Sequence, residues 1–97
     1  MKRVVITGAG TINALGHSVR ETMEAMREGR CGIGKLEMRD VDRLAIQIGG
    51  QVRGFEAEGR FNRQQMALYD RFTQFALIAA REAMAQSGLE FSGELAA

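Results

Sequence analysis

The sequence predicts an α/β protein that cannot complete its own layers, and three observations lead there. A β-branched run without polar alternation, Val4-Val5-Ile6-Thr7, opens the chain and is punctuated by Gly8 and Gly10, the pattern of a strand buried on both faces of a parallel sheet. Two capping-box signatures, Ser18-Val19-Arg20-Glu21 and Asn62-Arg63-Gln64-Gln65, each open a helical run. The second run turns apolar nearly all round at Phe75-Ala76-Leu77-Ile78-Ala79-Ala80, so it requires burial on several sides.

Taken in order, the first strand covers residues 4–7, and a loop of small residues follows. The first helix starts after Ser18, whose hydroxyl is placed to accept the Glu21 N–H while the glutamate reaches back. Val19, Met23 and Met26 fall at i, i+4 and i+7 on one face, opposite Arg20, Glu24 and Arg27, and Gly29 is the expected left-handed stop. Residues 29–35, with glycines at 29, 32 and 34, are expected to form a tight irregular loop. Leu44, Ile46 and Ile48 alternate with Ala45 and Gln47 and run into Gly49-Gly50-Gln51-Val52, a half-buried or edge strand broken by a bulge or close backbone approach. Residues 53–60 are polar and loop-like apart from Phe55. From Asn62 the longest helical stretch runs with a bend or restart near Asp70 and closes at Gly88; residues 70–87 would span about 27 Å at ~1.5 Å per residue. Its faces carry Tyr69, Phe72, Ala76, Ala79, Ala80 and Ala83 on one stripe, with Met66, Leu77 and Met84 off it. About two strands and one other helix are available to cover it, and a two-stranded sheet is marginal by itself. A missing remainder is therefore expected, with residues 89–97 as a linker toward a further strand.

Composition removes several function classes. The 97 residues carry 13 Lys+Arg against 12 Asp+Glu, a formal charge of +1, with the signs interleaved. No basic block points to nucleic acid or to an anionic membrane. The longest apolar run, residues 75–80, is far short of the roughly 20 residues a bilayer span needs. One cysteine and one histidine exclude an internal disulfide framework and an ordinary structural metal site, and a reducing, cytoplasmic setting is the default. Twelve glycines and no proline leave turn-making to glycine.

The candidate chemistry is sparse. Ile6-Thr7-Gly8-Ala9-Gly10 invites a dinucleotide-binding reading, since glycines after a first strand let a pyrophosphate approach a helix N-terminus. A full G-x-G-x-x-G would place glycine where Asn13 stands, and Arg53 rather than an acidic residue follows Val52. Tight packing at a strand end explains these glycines better. Cys31 lies between Arg30 and Gly32, where cations favour a reactive thiolate, but a nucleophile needs a base and nothing in the spacing brings His17 to it. Cys31 reads as a small residue of a glycine loop, and His17 as a solvated loop residue. Glu37, Asp40 and Asp42 are interspersed with Arg39 and Arg43, mixed surface charge rather than an acid/base pair. Arg60, Arg63 and Arg71 flank the opening of the long helix as a cationic feature an acidic partner could use, with a solvated face as the plainer reading. Met23, Met26, Met66 and Met84 fall at helical spacing and are assigned to the core rather than to an adaptable binding surface.

With the elements in order, five collinear segments carry a resemblance. They are Met1-Lys2-Arg3-Val4-Val5-Ile6-Thr7-Gly8-Ala9-Gly10, Leu15-Gly16, Met26-Arg27-Glu28-Gly29-Arg30-Cys31-Gly32-Ile33-Gly34, Gly49-Gly50-Gln51-Val52, and Tyr69-Asp70-Arg71-Phe72-Thr73-Gln74-Phe75-Ala76 with Ala79-Ala80-Arg81-Glu82-Ala83. Together they resemble the opening of β-ketoacyl-acyl-carrier-protein synthases of the FabF type. The resemblance implies that residues 1–97 are the N-terminal segment, the first quarter or so, of a thiolase-like α-β-α-β-α layered fold, a homodimer when complete, with no complete independent domain in this chain. It implies a decarboxylative Claisen condensation, in which an acyl chain on a cysteine is attacked by the carbanion of malonyl-carrier protein. The family's nucleophilic cysteine, two histidines and lysine all lie beyond position 97, so no catalytic residue, cofactor or metal ligand is expected here. Cys31 matches a loop position usually held by serine, and His17 matches neither catalytic histidine.

The chain also departs from the family. Ala14 and Lys35 stand where proline is common. Basic residues used for carrier-protein docking are replaced by Gln64, Gln65, Met66, Ala67 and Leu68, which leaves Arg60, Arg63 and Arg71 as substitutes and suits a specialised synthase. Two alternatives from other classes stand beside the condensing enzyme: a non-catalytic partner subunit in the manner of chain-length factors, and a small nucleotide-binding α/β domain.

Overall fold

A computed structural model describes residues 2–57 and 59–89. Among the described residues, three α-helices, one 3-10 turn (Val41–Arg43) and one two-stranded ribbon make up the regular structure: α1 (Val19–Arg27), β1 (Ile33–Lys35), β2 (Ile48–Gly50), α2 (Arg63–Leu68) and α3 (Arg71–Ser87). The expectation for residues 89–97 falls, from position 90 onward, outside the described residues.

Each helix end follows from its capping chemistry. The Ser18 side chain accepts the Glu21 N–H at 3.1 Å. The Glu21 carboxylate accepts from the His17 N–H at 3.3 Å and from the Ser18 hydroxyl at 3.4 Å, rather than from the Ser18 N–H, so the expected reciprocal box closes one residue early. Helix α1 ends at a left-handed Gly29, φ 70°, with Gly29 N–H donating to Met26 O and Arg30 N–H to Ala25 O, a Schellman arrangement that satisfies two terminal carbonyls. At α2 the box is reciprocal: Asn62 Oδ1 accepts Gln65 N–H at 2.8 Å and Gln65 Oε1 accepts Asn62 N–H at 3.0 Å. Extended backbone at Tyr69 separates α2 from α3, and Asp70 restarts the helix by accepting Thr73 N–H at 3.1 Å. Gly88, φ 69°, closes it.

Helix α3 is the spine, and residues 8–11 run back along it. Gly8 approaches Ala83 and Gly10 approaches Ala79 so closely that a Cβ added to either would collide with a backbone carbonyl oxygen, at 2.1 Å and 1.8 Å. Between these contacts Ala9 N–H donates to Gln86 Oε1 at 2.8 Å, and Thr11 N–H donates to Glu82 Oε1 at 3.0 Å. The other oxygen of Glu82 takes Val19 N–H, the first amide of α1, at 2.9 Å. One carboxylate thus ties the N-terminal segment and the start of α1 to the same turn of α3. The intervening loop turns on Asn13, whose Nδ2 donates to the Thr11 and Thr22 hydroxyls at 3.0 Å each and whose Oδ1 accepts from Leu15 and Gly16 N–H.

Several expectations are corrected. Residues 4–7 form no strand: Val4 and Ile6 are 96% and 90% exposed, because a β-branched run becomes a strand only against a ladder partner and the described residues supply none. The loop expected at 29–35 contains β1, paired antiparallel with β2 in the register Ile33↔Gly50, Gly34↔Gly49 and Lys35↔Ile48. The second strand is correspondingly shorter than residues 44–52. Helix α1 buries Ala25, with Thr22 and Val19 half-buried, while Met23 and Met26 are exposed. Thr22, held by Asn13, and the small Ala25 set that orientation, not the larger methionines. Met84 is exposed as well, and only Met66 of the four is partly covered.

The packed core is small. Among the described residues Ala25, Phe61, Ile78 and Gln74 are buried, and no large side chain is wholly enclosed. Leu68 and Phe72 are exposed, as are Ala76 and Ala80 further along the same ridge. The chain's accessible surface, 8081 Å², exceeds the roughly 5,500 Å² expected of a compact folded chain of its mass. The apolar stripe read from the sequence therefore exists, but half of it faces outward.

Candidate functional site

The densest grouping of charged and aromatic side chains surrounds Phe55. Its ring meets Phe75 edge to face at 5.0 Å between centroids and His17 at 6.3 Å, geometry favoured by the ring quadrupole. Arg60 and Arg71 set their guanidinium carbons 5.7 Å and 5.3 Å from the Phe55 centroid, and Arg71 also lies 5.7 Å from the Phe75 ring, all within cation–π range. Arg71 and Phe75 belong together because they are i and i+4 at the start of α3. Arg60 arrives from the turn before α2, where Arg60 and Phe61 N–H both donate to Ala57 O at 3.0 Å. Phe61 anchors that turn: it is buried, packs on Tyr69 at 6.1 Å and lies under Arg81 at 5.0 Å.

Arg53 organises the other wall. Its guanidinium donates to Lys35 O at 2.7 Å and to Gly32 O and Gln51 O at 3.4 Å, and pairs with Glu37 at 3.8 Å. Its own carbonyl accepts from His17 Nε2 at 2.7 Å, which places the imidazole proton on that nitrogen. Arg53 thus joins the β1–β2 ribbon to the loop before α1. The wall and the Phe55 cluster enclose a cleft of about 440 Å³ lined by Glu37, Gln51, Arg53, Phe55, Glu56 and Arg71. A second hollow of about 370 Å³, with His17 and Arg60 on its rim, adjoins it across Gly54 and Glu56.

The residues singled out from sequence divide as follows. Arg60 and Arg71 share the Phe55 ring with their charged ends exposed. Arg63, also exposed, begins α2 beside a separate hollow formed with Phe61, Asn62 and Met66. The expectation of a solvated His17 is corrected: the ring is half-buried, fixed by Arg53 and Phe55. Cys31 is exposed, its thiol donating to its own loop at Ile33 O, 3.8 Å away; the partners of His17 lie elsewhere. Beside it Glu28 hydrogen-bonds the Arg30 guanidinium and raises its pKa further, so that charge persists at any physiological pH. Asp40 and Asp42 remain exposed at the 3-10 turn, and among the described residues only Glu37 of that group finds a basic partner, in Arg53.

Gly8 and Gly10 are packed against α3, as tight packing rather than phosphate approach requires. The described residues contain no group of three metal-ligating side chains, and no helix among them is long and apolar enough to cross a membrane. Glu82, Asn13 and Arg53 are the organising residues that sequence reasoning missed. Glu82 had one available signal, a carboxylate at the small-residue positions between Ala79 and Ala83.

The family model described as the N-terminal domain of β-ketoacyl synthase matches residues 1–93. The chain is 35% identical over 95 residues to a 3-oxoacyl-[acyl-carrier-protein] synthase 2 of Staphylococcus aureus, an alignment covering 98% of this chain and 23% of that protein. It is 36% identical over 83 residues to the protein of the same name from Synechocystis sp., covering 86% of this chain and 20% of the relative. The chain thus spans less than a quarter of the length of these curated relatives.

Proposed function

Because the chain belongs to the β-ketoacyl synthase family, we propose that it is the N-terminal segment of a condensing enzyme that lengthens acyl chains on acyl carrier protein, inactive by itself. The observation that carries this is similarity in one collinear alignment over 95 residues, at 35% identity, to a synthase named for that substrate carrier. The uncovered face of α3 and the unpaired run at residues 4–7 support it: these are the surfaces on which the remaining strands and helices of a layered, thiolase-like α-β-α-β-α fold would pack. In the complete enzyme an acyl group held as a thioester is attacked by the carbanion that malonyl-carrier protein forms on losing carbon dioxide. A carbon–carbon bond forms, the carbon–sulfur bond breaks, and the thiolate is released. The nucleophile and the residues that polarise the thioester come from the rest of the polypeptide, and the complete enzyme is a cytoplasmic homodimer.

This chain's own contribution to substrate capture is its cationic rim. Arg60 and Arg71, held on Phe55, and Arg63 at the start of α2 offer three exposed guanidinium groups to an acidic carrier protein. Such charges steer association more than they add affinity.

A chimera in which residues 1–97 replace the matching segment of the Staphylococcus aureus synthase tests the reading. The chimera is expected to condense acyl- and malonyl-carrier protein, and the 97-residue chain alone to give none. Condensation by the lone chain would overturn the proposal. A native polypeptide with another residue in place of the nucleophilic cysteine would favour the non-catalytic partner subunit instead.

A further inference from the structure

No further inference is drawn: the strongest candidate, the cleft of about 440 Å³ between the Gly54–Glu56 loop and the start of α3, sets Arg53 and Arg71 against Glu37 and Glu56 and so carries no net charge to select a ligand, while nothing in the structure shows what covers the exposed Leu68, Phe72, Ala76 and Ala80 ridge of α2 and α3.

Discussion

Gly10 lies against Ala79 with no room for a side chain: a Cβ there would stand 1.8 Å from the Ala79 carbonyl oxygen. The contact is backbone to backbone, so neither partner can swing aside as a flexible side chain would. It lets residues 8–11 lie along α3 closely enough for Ala9 and Thr11 to reach Gln86 and Glu82.

Gly10→Ala is therefore expected to lift this segment from α3 at a cost of ~1–3 kcal/mol, the usual range for overpacking. In the chimeric synthase, hydrogen exchange at the Ala9 and Thr11 amides should accelerate roughly ten- to a hundredfold. Gly59→Ala is the control, since nothing lies within 4 Å of its would-be Cβ, and it should leave those amides unchanged. Unaltered protection in Gly10→Ala would contradict the close approach.

Glu82 accepts from two amides that lie 71 and 63 positions away in sequence. Glu82→Gln keeps one carbonyl acceptor but turns an amide donor toward the second N–H, leaving that donor unsatisfied at about 1–3 kcal/mol. The expected signature is faster exchange at Thr11, Val19 or both. Glu82→Ala should expose both amides together, and equal protection in all three proteins would remove Glu82 from this role.

Charge reversal separates the arginines by position. Arg63→Glu and Arg71→Glu in the chimera are each expected to weaken carrier-protein binding by about three- to tenfold at low salt, with the difference shrinking as ionic strength rises above ~0.5 M. Arg71→Glu should also loosen Phe55, since its guanidinium rests on that ring, whereas Arg63→Glu should not. Titration calorimetry with acyl-carrier protein at two salt concentrations, read beside the Phe55 ring resonances, tests both statements. Salt-independent affinities would argue that these residues do not dock the carrier.

Cys31→Ser should leave condensation by the chimera within about twofold of its parent. The thiol is exposed and its hydrogen bond stays within its own loop, and a surface substitution away from cores, caps and buried networks shifts stability by less than ~0.5 kcal/mol. Iodoacetamide should label Cys31 readily without loss of activity. A collapse of the rate on either treatment would assign Cys31 a role in the chemistry.

How far the sequence reaches is clearest where interactions are local. Ser18, Asn62 and Asp70 cap their helices within three residues of themselves, and Gly29 and Gly88 end them in the left-handed region. Backbone groups left unsatisfied at a helix end must find the nearest competent side chain, so spacing alone determines these boundaries. The family, too, was legible in five collinear segments.

Interactions between distant segments were not legible. Whether Val4, Val5 and Ile6 form a strand depends on a ladder partner, and no described residue offers one. Which face of α1 turns inward was decided by Asn13 gripping Thr22, and what Gly8 and Gly10 are for was decided by α3 lying over them. Hydrophobic periodicity says only that a face is apolar; shape and hydrogen bonding at close range choose what it meets. For Arg60 and Arg71 the sequence supplied the charges. Only the tertiary structure brought both to one aromatic ring, because Phe55 and Phe75 are twenty positions apart in the chain and 5.0 Å apart in space.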